Sequence, residues 1–592
     1  MINITPHLSA RLKRFKITLH GALIPVIFYC IFFKNSYLYN SFTYQTGHYN
    51  FAVIISLTLI LIFGYELTAN RNRLSINHID LAFAALLGVL FCSRLNSRFL
   101  FFNEILINTL CLASLYLIVR LYSWQEKLIS WIKFLGFAAG IELMYSCINY
   151  FRNPDPLNFH GFLGNSALST CFIIAVYPIL IWINGRSIGI RLFLTVSVFA
   201  VISISQSRAG LLSIIFVMIS FIARGLLKQN YLKKVFNFYL TIVAAISVIV
   251  FFVYLILLKT DSISGRLIIW KITLSNLKDY ILTGVGFGDF PVSYQAWQQS
   301  YVSANKLDLQ SAYLIDLPNN VFNEPLQILV EAGLIGFTCF LYLIYSVYAC
   351  KVGAKSGFTQ ALKATLGSAL VFSLFSYSFH SLPVLALVII SLAALSNLSP
   401  NHFHIYINPV WTKISAAVLC FISFAMLEKV YHKNAAIEIW HNLNVARTGG
   451  KYVKPKLVAI QKELHENGNF LFELAKAHFE SGDYTRSIKL VDSSMLARPN
   501  VDAYLLKGAC YEKQGNFDKA EDMYNIAQLT IPSRLTAKSY LLNLYQKRND
   551  SLNAKHIAIE IINSPMKSFS EDGYRIKAAA KVYLDSKGYN VL

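Results

Sequence analysis

Acidic residues are scarce in this chain: 31 Asp and Glu stand against 53 Lys and Arg, and charged residues of both signs fill only 14% of its 592 positions. With so little charge, 55% hydrophobic residues and a mean hydropathy of +0.48, an ordinary soluble domain is excluded. Cysteine supplies no framework either. Of the nine, Cys30, Cys92, Cys111, Cys147, Cys171, Cys339, Cys350 and Cys420 fall in or beside apolar runs, Cys510 lies in a polar tail, and no CxxC occurs. That distribution excludes a disulfide scaffold and a thiolate zinc site, and fits small core side chains. HExxH, a Gly-x-Ser-x-Gly nucleophile elbow and an aspartate cluster of the divalent-metal kind are also missing, so the expected chemistry uses no metal and no cofactor. No small-residue cleavage site follows the first apolar run, whose basic flank suits a retained membrane helix.

What the chain does have is long hydrophobic runs. At ~20 apolar residues per crossing, they read as roughly thirteen spans, at residues 17–33, 51–68, 79–92, 101–119, 128–147, 167–183, 192–204, 211–222, 236–258, 326–349, 366–379, 383–395 and 414–426. The expected fold is therefore all-α: a polytopic transmembrane helical domain over residues 1–428, then a soluble helical-repeat domain over 429–592. A net charge of +22 first brings nucleic acid to mind, but the basic residues sit between spans rather than on one soluble face. Arg11, Lys13, Arg14 and Lys16, then Arg71 and Arg73, Arg120 and Lys127, Arg186 and Arg191, Arg224 to Lys234, and Lys351 to Lys363 occupy every second loop. The positive-inside rule then puts the N-terminus in the cytoplasm and the loops at 153–164, 205–210, 259–325 and 380–382 on the far side, with the tail. In a bacterium that side is the periplasm, and no nucleic-acid partner is expected.

The long polar loop at about 259–325 and its borders hold the informative residues, as functional loops held by spanning helices do. Arg208, in Ser205-Gln-Ser207-Arg208-Ala-Gly210, lies between two apolar runs with almost no loop around it; it either snorkels to the interface or binds an anion. Arg266 falls in the same layer, and a guanidinium fork matches two phosphate oxygens. Two such arginines point to a diphosphate. At Asn323-Glu324-Pro325 a helix begins with proline in its first turn and Glu324 as a cap, its dipole facing any anion bound there. Glu324, Gln327 and Glu331 recur at helical spacing, the two carboxylates within about 20° of each other. Either could serve as a general base, or Glu324 could only cap the helix while Glu331 makes a buried hydrogen bond. Gly284-Val-Gly286-Phe-Gly288 follows no strand of a βαβ unit and opens no amphipathic helix, and reads better as a tight turn that lets backbone approach a ligand than as a nucleotide loop. His380 could be a ligand, an acid or base, or a polar helix terminus.

After Met426 the sequence turns charged and helix-favouring and repeats internally. Pro499, Pro532 and Pro565 are 33 apart, as are Gly482 and Gly515. One unit carries Tyr504, Gly508, Tyr511, Gly515, Ala520, Tyr524, Ala527 and Pro532, which resembles the tetratricopeptide consensus; the first unit matches at Ala475 and Ser487, and the third, around 541–565, is degenerate. Stacked helix pairs of this kind form a solenoid that binds a protein partner or caps the membrane half.

Taken together, Gly161-Phe-Leu-Gly164-Asn165, Ser207-Arg208, Ser264-Gly-Arg266-x-x-x-Trp270, Gly284-x-Gly286-x-Gly288-x-Phe290 and the segment from Asn323 to Gly336 resemble the bacterial superfamily of O-antigen ligases, O-antigen polymerases and protein O-oligosaccharyltransferases. The resemblance runs from about 161 to 383. It implies a metal-independent inverting glycosyltransferase of the inner membrane. The donor would be an oligosaccharide on a polyprenyl diphosphate such as undecaprenyl diphosphate, and the acceptor a hydroxyl of lipid A core, of an exported protein or of the growing glycan. Arg208, Arg266 and Glu324 would be catalytic, with Asn165, Ser207, Trp270, Gly286, Gly288, Asn323, Gln327, Glu331 and His380 binding substrate. Many members place a histidine immediately before the loop asparagine; here that residue is Phe322, which turns attention to Glu324 or His380 as base. A non-catalytic flippase is the competing class, but charged residues lie mainly at span ends, Glu142 near one of them, with no duplication among the spans.

Overall fold

The computed structural model of the chain describes residues 52–59, 73–95, 104–122, 125–184, 187–226, 260–305, 307–350, 356–399, 403–406, 408–445, 450–564, 566 and 571–589. The strand Arg73–Ile76 (β1) leads into helices His78–Leu95 (α1), Glu104–Tyr122 (α2), Gln125–Arg152 (α3), Ser166–Ile183 (α4), Ile188–Ser205 (α5) and Arg208–Leu226 (α6). What the sequence presents as one polar loop is largely helical, with Thr260–Asn276 (α7), Phe290–Ala304 (α8) and the short Leu309–Leu314 (α9). Glu324–Ala349 (α10), Ser356–Ser373 (α11) and Leu382–Leu398 (α12) follow, then the strand Phe403–Tyr406 (β2) and the long helix Pro409–Val445 (α13). Among the described residues six helices are long and apolar enough to cross a membrane, namely α1, α4, α5, α10, Ile129–Arg152 of α3 and Pro409–Leu443 of α13; Ile107–Arg120, Arg208–Phe221 and Leu382–Leu398 are shorter apolar helices. The chain is thus a multi-pass membrane protein, but thirteen spans are not shown. The runs at 17–33 and 236–258 lie outside the described residues, as does most of 51–68. The run at 366–379 belongs to α11, which starts at Ser356 and stops at Ser373.

Among the described residues the fold is helical except for one antiparallel ribbon, β1 with β2, in register from Arg73 opposite Tyr406 to Ile76 opposite Phe403. α4 is the hub, apolar on nearly every side, with α3, α5, α6, α11 and α12 packed around it. Beside the ribbon, polar side chains bind three helices. The Arg120 guanidinium on α2 grips Asp80 of α1 at 3.0 Å, the Asn397 side chain of α12 at 2.9 Å and the Ser75 carbonyl at 2.9 Å, while Tyr116 and Ser396 also donate to Asp80. This partly buried network fixes helix register where apolar packing alone would permit sliding.

The tail is built from helix pairs. Gly450–Leu464 (α14) precedes Gly468–Glu480 (α15) with Tyr484–Ala497 (α16), Val501–Lys513 (α17) with Phe517–Thr530 (α18), and Leu535–Lys547 (α19) with Ser551–Asn563 (α20); Glu571–Ser586 (α21) ends the described stack. Gly482 and Gly515 take positive φ between the paired helices, and in the third unit Asn549 does so at φ 57°. The unit that reads as degenerate is therefore a full helix pair, its left-handed turn carried by asparagine one residue out of the glycine register.

The least regular point of the membrane half lies inside α10. Gly333 has φ 65° and ψ −169°, so the helix stops and restarts there. The backbone groups released by the break are taken up by the preceding segment: Val285 N–H donates to Val330 O at 2.9 Å and Gly286 N–H to Glu331 O at 3.1 Å, while the freed Leu334 N–H donates to Ile281 O at 2.8 Å. Ser93 of α1 adds its hydroxyl to Glu331 O at 2.5 Å. Irregular backbone at this depth persists because protein groups replace the missing helical bonds. A Cβ at position 333 would overlap the Leu282 carbonyl. Gly333→Ala is expected to remove roughly 2–4 kcal/mol of stability, read as a lower melting temperature of the detergent-solubilised protein; an unchanged melting temperature would mean the break relaxes freely.

Candidate active site

A cavity of about 450 Å³ opens where the first turns of α4 and α6, one face of α7 and the end of α11 meet. Asn165, Ser207, Arg208, Arg266 and Trp270 all line it, so five of the residues nominated by the sequence come together from three separate stretches. Two helices begin at its wall. Asn165 caps α4, its carbonyl oxygen accepting from the amides of Ala167 at 2.9 Å and Leu168 at 3.2 Å, and the Ser207 hydroxyl accepts from Gly210 N–H at 3.1 Å in the first turn of α6. Both positive helix ends therefore face the same space as two guanidinium groups, and among the described lining residues there is no carboxylate.

Arg266 is held by neutral partners. Its Nη1 donates to the Phe375 carbonyl at 2.5 Å, and its guanidinium carbon lies 5.4 Å from the centre of the Phe322 ring, a cation–π contact that leaves the charge uncancelled. Phe322, at φ 59°, meets Tyr377 edge to face at 5.3 Å, and the Tyr377 hydroxyl accepts from Asn165 Nδ2 at 3.1 Å. The Asn165, Tyr377, Phe322 and Arg266 side chains thus form one contact chain around the cavity. Burial, then the nearby positive charge of Arg208, lowers the Arg266 pKa, with Tyr377 acting the other way; the guanidinium still stays charged at any physiological pH. Trp270 turns its indole N–H to the Val321 carbonyl at 2.8 Å and so ties α7 to the residue before Phe322.

The remaining nominated residues lie away from the cavity lining. The cap of α10 is Asn323, whose side chain accepts from Leu326 N–H at 2.9 Å, and not Glu324. The buried Glu324 carboxylate instead accepts from Phe379 N–H at 2.8 Å and pairs with His380 Nδ1 at 3.2 Å. The protein packed around His380 favours its neutral form, but Glu324, reinforced by Glu331, outweighs that and raises its pKa above the ordinary imidazole value; the side chain still keeps 41% of its surface exposed. Gln327 donates to Glu331 at 2.7 Å and accepts from Val321 N–H at 2.8 Å. Gly286 and Gly288 belong to the turn that packs on the break in α10, and a Cβ on neighbouring Gly284 would overlap the Glu331 carbonyl. What Gly284 admits here is the protein's own backbone, whereas a Cβ on Gly288 would meet the Ile105 side chain. Among the described residues no group of three or more His, Cys, Asp or Glu side chains is arranged to hold a metal ion.

Four contributors are not nominated by the sequence reading. Tyr377 and the Phe375 carbonyl lie in what reads as the end of an apolar span, where only the polar run Ser376-Tyr-Ser378 and His380 marks an interruption. Glu142, buried in α3, accepts from Gly161 N–H at 3.0 Å, Phe162 N–H at 2.9 Å and the Ser169 hydroxyl at 2.5 Å, and so fixes the loop that delivers Asn165. Arg94 donates to Phe287 O and to Asp289, both at 2.8 Å, in an ion pair that is 3% and 9% exposed, anchoring the glycine turn to α1.

Residues 192–341 match the family model described as O-antigen ligase, a stretch from α5 into α10 that includes Arg208, Arg266, Trp270 and the segment from Asn323 to Gly336. Residues 455–526 match the model described as anaphase-promoting complex, cyclosome, subunit 3, over the first helix pairs of the tail. No curated protein matches the chain. The membrane half thus carries an O-antigen ligase domain at residues 192–341, and the tail that follows it is a tetratricopeptide-like repeat region.

Proposed function

We propose that the chain moves an oligosaccharide from a polyprenyl diphosphate to an acceptor hydroxyl, on lipid A core or on Ser or Thr of an exported protein, at the periplasmic face of a bacterial inner membrane. The observation that carries this reading is the shared cavity of Arg208 and Arg266, into which two helix N-termini open and beside which Leu157, Leu212 and Leu267 offer an apolar border. A diphosphate answers both charges at once, and the apolar border suits the first isoprene units of its carrier. In the transfer the acceptor oxygen forms a bond to the anomeric carbon from the face opposite the diphosphate. The bond from that carbon to the diphosphate oxygen breaks, and its electron pair leaves with the lipid diphosphate. Charge grows on that leaving oxygen, where preorganised guanidinium groups in a low-dielectric site are most effective. The acceptor proton passes to a base. Glu324 is engaged by Phe379 and His380, so it serves to orient His380, which lies outside the cavity lining and takes the proton from an acceptor that enters from its exposed side.

Arg266→Ala or Arg208→Ala should lower transfer about a hundredfold or more while the protein still inserts and lipid-linked donor accumulates; normal transfer by both variants would sink the diphosphate clamp. Arg266→Lys should recover only part of the loss, because an ammonium is a point charge without the fork. Lipopolysaccharide and glycoproteins from one deletion strain then identify the acceptor: whichever loses its oligosaccharide is the substrate class.

The raised pKa of His380 has a signed consequence. A base must be neutral to accept a proton, and a raised pKa keeps the imidazole protonated to higher pH, so transfer should fall away as pH drops through a value above the ordinary imidazole range. Glu324→Gln removes the carboxylate that holds the proton and should shift this acid limb to lower pH. A limb that stays in place in a pH–rate profile would remove His380 from the base role.

A further inference from the structure

The repeat tail is docked on the site's own loop. Helix α8 has two working faces. Phe290, Tyr294 and Trp297 enter a small core with Ile272 of α7, Val321 and Val330, while Gln295, Gln298 and Gln299, spaced to share another face, meet the tail. Gln298 Nε2 donates to the Thr530 carbonyl at 2.6 Å, Gln299 to the Thr530 hydroxyl at 2.8 Å, and Gln295 to the Tyr504 hydroxyl at 2.7 Å. Gln298 is only 1% exposed and Thr530 is fully buried. Leu317, between α9 and Phe322, packs against the tail's own hydrophobic core. Amide groups buried this deeply are costly to leave unpaired, so the face is built for its partner.

We propose that this surface makes the repeat tail an internal clamp, whose partner is the α8 face of the same chain, and that Gln298 and Tyr504 are positioning residues for the site. The line of contact runs from Thr530 and Tyr504 through α8 to the core that holds Val321, and Val321 precedes Phe322, the ring beneath Arg266. The tail therefore acts on the donor end of the reaction, whatever protein or glycan it also meets. The proposal rests on the transferase reading above. A recruitment module would shift acceptor affinity; a clamp shifts donor cleavage, because a small misplacement of Arg266 weakens the hold on the leaving diphosphate.

The test uses full-length protein in nanodiscs with a polyprenyl-diphosphate oligosaccharide and a soluble acceptor, comparing wild type with Gln298→Ala, Tyr504→Phe and the double variant. Release of polyprenyl diphosphate should fall about tenfold with the acceptor KM unchanged, and amide hydrogen exchange across residues 307–321 should accelerate. A raised acceptor KM with unchanged donor turnover would overturn the clamp, as would unaltered exchange across 307–321. Should wild-type protein release no diphosphate, the transferase reading falls, while hydrogen exchange in the variants still decides whether the dock orders the loop.

Discussion

Two like charges placed in one partly buried cavity repel each other, and much of the membrane half can be understood as the means of keeping Arg208 and Arg266 there. Carboxylates at that wall would ease the repulsion but would also cancel the field that an anionic ligand feels. The chain instead holds Arg266 with a carbonyl and an aromatic face. Such partners fix direction and take up hydrogen-bonding capacity while leaving the net charge in place. The helix ends of α4 and α6 add to the same field. The site is in this sense prepared before any ligand arrives, with the strain of its charges carried by the fold.

The buried carboxylates of this region tie loops to helices, through backbone amides or through a side chain. Glu142 takes two amides of the loop at 161–162, Asp289 takes Arg94, and Glu324 takes the amide of Phe379. Each lies where a loop must be brought up to a helix without a sheet to register it. Acidic residues are few in this sequence, and several are spent as staples that bring distant loops to one place. The break at Gly333 belongs to the same design, since it releases the Glu331 carbonyl to Gly286 and Ser93.

Much of the cavity was legible in the sequence, and the reason is chemical. An arginine squeezed between apolar runs has few alternatives, so Arg208 stands out without any knowledge of its neighbours, and Arg266 is read from its place in the same layer, just past an apolar run. Asn165 is nominated only through the resemblance, and its bond to Tyr377 spans 212 positions, which no local pattern encodes. Phe322 reads as a loss where the resemblance expects histidine; only the structure sets its ring 5.4 Å from the Arg266 guanidinium carbon. Glu324 was read as a cap because proline follows it, yet Asn323, one residue earlier, has the extended backbone that a cap requires. Hydropathy finds apolar runs but cannot say which of them cross, and α11 shows the limit, being packed on α4, α6 and α12 with an end that forms the cavity wall. In the tail, the third pair reads as degenerate because asparagine takes the turn that glycine marks elsewhere.

Helix α13 runs without interruption from Pro409 to Val445, about 55 Å at 1.5 Å per residue, starting beside the ribbon and ending against the first tail helix. A flexible tether would let the repeats wander, and their docking would then depend on effective concentration alone. A continuous helix is instead an axle. Each residue along it turns whatever follows by about 100°, so the bearing of the repeat stack toward α8 is written in the count of residues between them. Sequence drift on the exposed sides of α13 is then tolerable, whereas a single insertion or deletion would swing the stack away from the glutamine face it meets.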